Sequence, residues 1–426
     1  MEGLKEVEAG IKIAIIGGGP AGLSAAIELA RLPFVEWTLY EQKPSINEIG
    51  TGIALQRNTW RLLEKLGVSQ HLKAGDFFRP KDGHDTQYRD GRTGAVVKQT
   101  YPLPSVAPHQ APCRIHRGRL QRALLKIVDQ RRIRPGKKLV EVERVNSGRL
   151  RLAFSCGFVD EVDLIIGADG IRSIIRTFAF PEYSVSYSGM TAYRAVVREA
   201  DVRQINGLSK AIIFWYGTNG KWIYTSPLEN GDWEITCRIR EPDDNDRTSW
   251  GKEVNVAKFV ESFHEYCEPI QQLLSLVTRV KRFDYFGGPR LQTVINQSSV
   301  ALIGDASHPL SGAFGAGAAF AIEDAHVLAG ALRWAASSSH SLTEALQLFD
   351  KVRSFHYGKL YETLDEIASA HQKTFRLSAS TEEEIAGQIE NVSLPKHAWM
   401  YYHEADQALQ DAIAESRIIP PLRQKL

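Results

Sequence analysis

The stretch Ala301-Leu-Ile-Gly-Asp-Ala-Ser-His-Pro-Leu-Ser-Gly-Ala-Phe-Gly-Ala-Gly-Ala-Ala-Phe-Ala-Ile-Glu-Asp324 decides how this chain is read. It is led by Val300-Ala-Leu-Ile303, short and apolar as a buried strand is. Asp305 follows at the carboxyl end of that strand. Gly315 and Gly317 then remove Cβ atoms where a helix begins. The free amides and dipole of such a helix, around Ala316–Ala318, favour negative charge close by. A Gly/Ala packing turn without a ligand is the alternative. His308, beside Pro309, fits a turn histidine held by backbone better than it fits a base.

A second glycine cluster lies far upstream. Ile11-Lys-Ile-Ala-Ile-Ile16 is another buried-strand pattern and runs into Gly17-Gly-Gly-Pro-Ala-Gly22. Leu23–Leu32 has helical periodicity, and Trp37-Thr-Leu-Tyr40 is a further β-rich run closed by Glu41. This order gives each glycine a task. Gly17 allows the tight turn, Gly19 lets backbone approach a pyrophosphate, and Gly22 lets helix and strand pack closely. The helix start holds the phosphates. Glu41 stands where a carboxylate accepts hydrogen bonds from adenosine ribose hydroxyls, and it would repel a 2′-phosphate. One loop fits any dinucleotide. Two suggest one long cofactor gripped at both ends, and the natural candidate is FAD, with Asp305 on the ribityl hydroxyls.

Composition excludes several classes. The 426 residues are 43% hydrophobic and 24% charged, with net charge +2, so no basic field for nucleic acid is expected. Cys113, Cys156, Cys237 and Cys267 are too scattered for a metal pair and read as reduced thiols. No metal is expected. Asp243-Asp-Asn-Asp246 lacks calcium-loop spacing. The first ten residues lack the apolar core of a signal peptide, and no apolar run is long enough to span a membrane. A cytoplasmic location is expected.

Between the glycine clusters the pattern changes twice. Ile49–Gln56 is an extended, glycine-relieved segment whose backbone near Gly52–Ala54 can lie against a flat ring. A helix over 58–66 follows, stopped by Gly67. Residues 76–108 alternate as strands do. Arg114–Leu125 reads as helix, with Arg117 at its start a ligand candidate and Arg119 and Arg122 on a solvated face. Val162–Gly167 is a buried strand leading to Asp169-Gly170, the kind of crossover where parallel sheets bind ligands. Asp169 also fits a cap for the helix carrying Arg172, Ser173 and Arg176. Strands are predicted over 190–197, 211–216, 221–227 and 233–240, then helix over 256–277 and again over 342–368.

With these motifs on the page, the chain resembles the class A FAD-dependent monooxygenases, the para-hydroxybenzoate and salicylate hydroxylase-like family. Gly17–Gly22 with Glu41, Asp169-Gly170, and Gly304-Asp305 with its glycine-rich helix carry the resemblance, and Trp399-Met-Tyr-Tyr-His403 is similar to the fungal branch. It implies an α/β fold: a Rossmann-like FAD-binding domain (1–75, 109–185, 285–340), an inserted, mostly antiparallel β substrate domain (76–108, 186–284) and a C-terminal helical region (341–426). It implies FAD contacts at Glu41, the backbone of Ala54, Arg117, Asp305 and the backbone of Ala318, beside Gly17, Gly19, Gly22, Asp169 and Gly317. NADH or NADPH would be a transient electron donor. O2 would be activated through a flavin C4a-hydroperoxide to hydroxylate an electron-rich aromatic substrate. Dearomatisation or epoxidation in natural-product tailoring is the close variant.

In the related dearomatising enzymes an arginine and a tyrosine handle the phenolate. Tyr193-Arg194 and Tyr224 stand at comparable places, so Arg194 and Tyr224 are the catalytic candidates. The spread Tyr224-Thr-Ser-Pro227 departs from the compact aromatic–proline motif of many salicylate hydroxylases and counts against salicylate itself. Rival readings are a flavin reductase or oxidase, and a non-catalytic flavoprotein. A halogenase is disfavoured because Trp222-Ile-Tyr-Thr-Ser-Pro227 lacks the Trp-x-Trp-x-Ile-Pro pattern.

Overall fold

A computed structural model describes residues 10–47, 51–229, 231–248, 251–309, 315–393 and 395–418. Ile49-Gly50, residues 310–314 of the second glycine cluster and the final Ile419-Pro-Pro421 therefore lie outside the described residues. In chain order the first strands and helices are β1 (Ile11–Ile16), α1 (Pro20–Leu29), β2 (Val35–Tyr40), β3 (Gly52–Leu55), α2 (Arg57–Lys65), β4 (Phe77–Phe78), β5 (Thr86–Asp90), β6 (Val96–Thr100), β7 (Cys113–His116) and α3 (Arg117–Leu125). Next come β8 (Ile133–Arg134), β9 (Leu139–Arg144), β10 (Leu150–Phe154), β11 (Val159–Val162), β12 (Leu164–Gly167), α4 (Ile174–Ala179), β13 (Ser186–Arg198), α5 (Glu199–Val202), β14 (Ile213–Tyr216), β15 (Trp222–Glu229) and β16 (Asp232–Arg240). The chain closes with β17 (Lys252–Glu253), α6 (Val256–Glu261), α7 (Glu268–Ser275), β18 (Lys281–Gly287), β19 (Ile295–Asn296), β20 (Val300–Leu302), α8 (Gly317–Ser337), α9 (Leu342–Leu377), α10 (Thr381–Val392) and α11 (Ala405–Ile418).

The first sheet has the order β19-β20-β12-β1-β2-β8. All its pairs are parallel except β19 with β20. Its strands are apolar on both faces because both are covered: Ile13, Ile15, Leu39, Leu164, Ile165 and Ile166 have no exposed surface. Each such side chain contributes about 1.5–3 kcal/mol by leaving water. α1 and α8 pack together on one side, and α9 and α11 pack on α8.

The second sheet has eight strands, β17-β18-β13-β16-β15-β14-β5-β6, antiparallel throughout except β14 with β5. One face packs on α6 and α7 through Trp215, Ile223, Trp233, Ile235, Cys237, Phe259, Ile270 and Leu274. The predicted single helix over 256–277 is broken in two. Pro269 sits in the first turn of α7, where its missing N–H costs nothing, and Cys267 precedes it with extended backbone. The segment from Arg114 also departs from expectation: Cys113–His116 pairs with β3 and β4, and helix starts only at Arg117.

One polar knot ties the eight-stranded sheet to a small sheet of order β3-β7-β4. Glu234 on β16, fully buried, takes a hydrogen bond from the Gly52 amide at 2.7 Å and is paired with Arg114. Arg114 in turn donates to the Gly52 carbonyl at 3.0 Å and lies over the Tyr224 ring at 4.9 Å. A Cβ at Gly52 would stand 2.6 Å from the Glu234 carboxylate, so no larger residue fits. Replacing Glu234 by Ala strands a buried guanidinium. A loss of about 3–5 kcal/mol in urea-unfolding stability is expected.

A histidine fastens the C-terminal helix. His326 on α8 lies 2.6 Å from Glu28 on α1 and 2.8 Å from Asp406 on α11. Burial works to lower its pKa, but the two carboxylates outweigh it and the value is raised above 6.5. Its stabilising contribution is therefore fully present below pH 6.5 and fades as pH rises through the raised folded value. His326→Gln is expected to flatten that part of the dependence of Tm on pH between 6 and 9, a range of about three units around the histidine pKa.

Candidate cofactor and substrate site

Parallel pairing brings the sequence motifs to one edge. Gly17, Glu41, Asp169 and Asp305 follow within three residues of the carboxyl ends of β1, β2, β12 and β20 respectively. The chain leaves β1 toward β2 on one side and later fills β12 and β20 on the other. The crevice beside β1 is therefore a switch point of the sheet, where open α/β folds bind ligands.

Gly17 and Gly22 stand where no side chain fits. Gly17, at φ +110°, would drive a Cβ to 2.4 Å from the Ala168 carbonyl, so its strand end and that of β12 touch. A Cβ on Gly22 would lie 1.9 Å from the Gly17 carbonyl, which is why α1 can close on its own loop. Gly19 differs: nothing lies within 4 Å of the place its Cβ would take. Gly19 caps α1 with no side-chain hydrogen bond, leaving the helix start open to an anion. Glu41 is drawn to this loop, accepting from the Gly18 amide at 2.8 Å and from the Lys43 amide at 2.8 Å.

The second glycine turn abuts the first. A Cβ on Gly304 would lie 3.0 Å from the Cβ of Ala21 on α1. The Gly304 amide donates to Asp324 at 2.8 Å, and Asp324 is held by Arg353 at 2.7 Å and by the Tyr357 hydroxyl. Exposed Asp305 faces the start of α8, its Oδ1 3.9 Å from where a Gly317 Cβ would be. Ala54 on β3 closes the same corner, 3.4 Å from a Cβ placed on Gly315. α8 begins at Gly317 and Ala318 without a side-chain cap. The Arg117 amide donates to the Thr51 carbonyl at 3.3 Å, which sets α3 beside the entry to β3.

Asp169 serves as a cap. Its Oδ2 accepts from the Ile174 and Ile175 amides at 2.8 and 3.3 Å, while its Oδ1 has no hydrogen-bond partner among the described residues. Burial raises its pKa. Arg176, from the same helix, donates to the Asp305 and Ala306 carbonyls at 3.1 and 2.9 Å and so joins the second motif to the third. Arg119 is paired with Asp76 at 2.7 Å, and Arg122 is exposed.

The open position at Gly19, the uncapped helix starts and the exposed carboxylate of Asp305 form an extended cradle from Glu41 to Ala318. It fits a long dinucleotide with a flat head.

Strand register separates the substrate candidates. Arg194, Thr236, Tyr224 and Phe214 are directly opposite one another on β13, β16, β15 and β14, so their side chains share a face. Tyr193 points the other way, into the α6–α7 core, and its hydroxyl donates to Glu241 at 2.7 Å. Tyr224 is buried with Phe78 and Ile212, and burial raises its pKa although Arg114 opposes this. Burial lowers the pKa of Arg194, with Tyr285 opposing and Arg117 reinforcing. Arg194 lies over the Phe283 ring at 4.9 Å.

His308 corrects the sequence reading. Its Nδ1 meets the Ser307 hydroxyl rather than backbone, its ring stacks on Tyr357 at 3.9 Å, and burial pushes its pKa down to about 4. Nearby, Glu323, His356 and His403 bring ligand-type atoms within 4.8 Å of one another. The Arg353 guanidinium lies 3.1 Å from Glu323 and supplies the cation there, so the group reads as a buried ion network.

Gly19→Val is expected to leave the fold intact, because its side chain enters open space, yet to emerge from purification with little flavin absorbance. Asp305→Ala is expected to lose flavin on gel filtration. A fully yellow variant in either case contradicts the cradle.

The comparisons agree with this geometry. A family model described as FAD binding domain matches residues 10–341. The chain is 26% identical to a salicylate hydroxylase of Pseudomonas putida, over 96% of each. It is 28% identical to a 6-methylsalicylate 1-monooxygenase of Aspergillus terreus, covering 80% of this chain and 79% of the relative. The solved structure of a salicylate hydroxylase substrate complex superposes with a TM-score of 0.79 at 22% identity, covering 95% and 98% of the two chains. Fold, cradle and family model converge: this chain belongs to the class A FAD-dependent monooxygenases.

Proposed function

We propose that the protein hydroxylates an electron-rich phenolic ring held against the face of the eight-stranded sheet, using O2 and electrons from NADH or NADPH. The observation that carries this is the shared face of Arg194 and Tyr224, with aromatic Phe214 and Phe283 beside them. Bound FAD supplies the oxygen chemistry. Glu41, Ala54, Arg117, Asp305, Gly317 and Ala318 hold it, with Gly17, Gly19 and Gly22 making room and Asp169 supporting the crossover.

The chain's own side chains do the rest. Arg194 stabilises the ionised phenol, since a nearby cation lowers a phenol's pKa. Tyr224, kept protonated by burial, donates a hydrogen bond that orients the substrate oxygen. The aromatic surroundings exclude water from the reacting ring. Residues 1–75, 109–185 and 285–340 form the cofactor unit, 76–108 and 186–284 the substrate unit, and 341–426 a helical cover. Four free thiols favour a reducing, cytoplasmic setting. Among the described residues, no helix is long and apolar enough to cross a membrane.

The test is a screen of phenols for stimulated NAD(P)H oxidation with incorporation of isotopic oxygen into the product. Arg194→Ala is expected to keep its flavin and lose on the order of 100-fold in kcat/KM for the best phenol, as removal of one charge-stabilising donor does. Unchanged turnover removes Arg194 from the site.

A further inference from the structure

The sheet face that carries Arg194 and Tyr224 is covered at its far end by α10, a helix that belongs to neither glycine motif. Lys98, Tyr88, Phe214, Tyr224, Thr236 and Arg194 stand opposite one another in one row across β6, β5, β14, β15, β16 and β13. Residues paired in this way share a side of the sheet, and neighbouring strands lie about 4.8 Å apart. The backbone at Tyr224 is therefore about 10 Å from that at Arg194, and Phe214 is one strand further on. Phe214 sits edge-on to Tyr224 at 4.8 Å and stacks on Tyr88 at 6.0 Å. Phe214 and Tyr88 are half-buried.

α10 closes this end with hydrocarbon. Ile385 and Ile389 are buried against Tyr216, and Tyr88, Phe214, Trp222 and Val392 pack around them. The polar rim of the helix fixes its direction. Glu384 accepts from the Asn219 amide at 2.7 Å and Gln388 donates to the Gly217 carbonyl at 3.1 Å, both in the turn between β14 and β15. Glu390 then takes Lys98 at 3.1 Å, and Lys98 stands in the row of Tyr224. α10 thus runs from the turn, over Tyr216, toward that row. One helical turn separates Ile385 from Ile389, which leaves Ile385 over Tyr216 and brings Ile389 nearer Phe214. We infer that Ile389 is a specificity-determining residue that ends the substrate pocket, and that the substrate is a single-ring phenol carrying at most a small apolar substituent across the ring from its hydroxyl. With its oxygen held by Arg194 and Tyr224, a phenol reaching along the row meets Phe214 and then Ile389. A charge placed there would be desolvated without a partner. A second ring would have to displace a packed helix, and overpacking of that kind is costly.

This inference rests on the reading of Arg194 and Tyr224 as the phenol-binding pair, and the experiment separates the two. Binding of phenol, 4-methylphenol and 4-phenylphenol to the holoenzyme is followed by perturbation of the flavin spectrum. Wild type is expected to bind 4-phenylphenol on the order of tenfold more weakly than 4-methylphenol, the scale of a size mismatch in an apolar pocket. Ile389→Ala is expected to remove that handicap, and Ile389→Val, the milder change, to reduce it in part. Ile385→Ala, which loosens the same helix over Tyr216, is expected to leave the ratio of the two affinities where it was. A ratio that neither Ile389 variant moves, an equal shift in Ile385→Ala, or wild type that binds both compounds equally well overturns the wall and leaves the phenol site standing. No spectral response to any of the three compounds overturns the phenol-site reading and the wall with it.

Discussion

Everything in this molecule depends on the parallel register of β1 between β2 and β12. Parallel strands place all their carboxyl ends on one edge of a sheet. Four segments separated by most of the chain therefore end side by side: the glycine loop after β1, Glu41 after β2, Asp169 after β12 and Asp305 after β20. The contact between Gly17 and the Ala168 carbonyl is the tightest expression of this register. Any side chain at Gly17 would push β1 away from the end of β12 and open the crevice.

Two devices hold the edge in shape. Arg176 bridges from α4 to the backbone of the Asp305 turn. Asp324 then takes the Gly304 amide on one oxygen and Arg353 on the other, with Tyr357 and His308 stacked beside it. These groups are fully or nearly fully buried, so their charges must be matched internally. The C-terminal helices α9 and α11 supply the matching groups or cover them, which gives the late part of the chain a structural duty toward the cofactor corner. His326, between Glu28 and Asp406, extends the same dependence to the outer face of α8.

The second sheet meets the small β3-β7-β4 sheet through a polar knot. Glu234, Arg114 and the backbone of Gly52 lock β16 onto β3, beside Ala54. Because side chains alternate along a strand, fixing Glu234 inward also fixes Thr236 and Arg238 inward. The neighbouring strands then bring Arg194 and Tyr224 to the same face. The alternate residues Trp233, Ile235 and Cys237 turn to the α6–α7 core. Parity sets which side chains share a face: a one-residue slip of β16 would turn Glu234, Thr236 and Arg238 into the apolar α6–α7 core and Trp233, Ile235 and Cys237 out of it.

By itself the sequence determined the cofactor class and the motifs that the fold brings to one edge. Glycine spacing, strand patterns and the following acids are local properties, and the contact that demands Gly22 lies within its own loop, while the one that demands Gly17 comes from Ala168. Strand periodicity in the substrate region was equally legible, because alternation of Glu234, Thr236 and Arg238 with apolar neighbours is written in the chain. Tertiary structure alone decided that Arg194 and Tyr224 share one sheet face while Tyr193 turns to the α6–α7 core, that Arg114 lies on a strand, and that Glu234 takes the Gly52 amide. Those outcomes depend on cross-strand register and on which buried charges find partners. The physical reason is that pairing energy is spent between residues over a hundred positions apart, as between Gly52 and Glu234, and no local pattern records it.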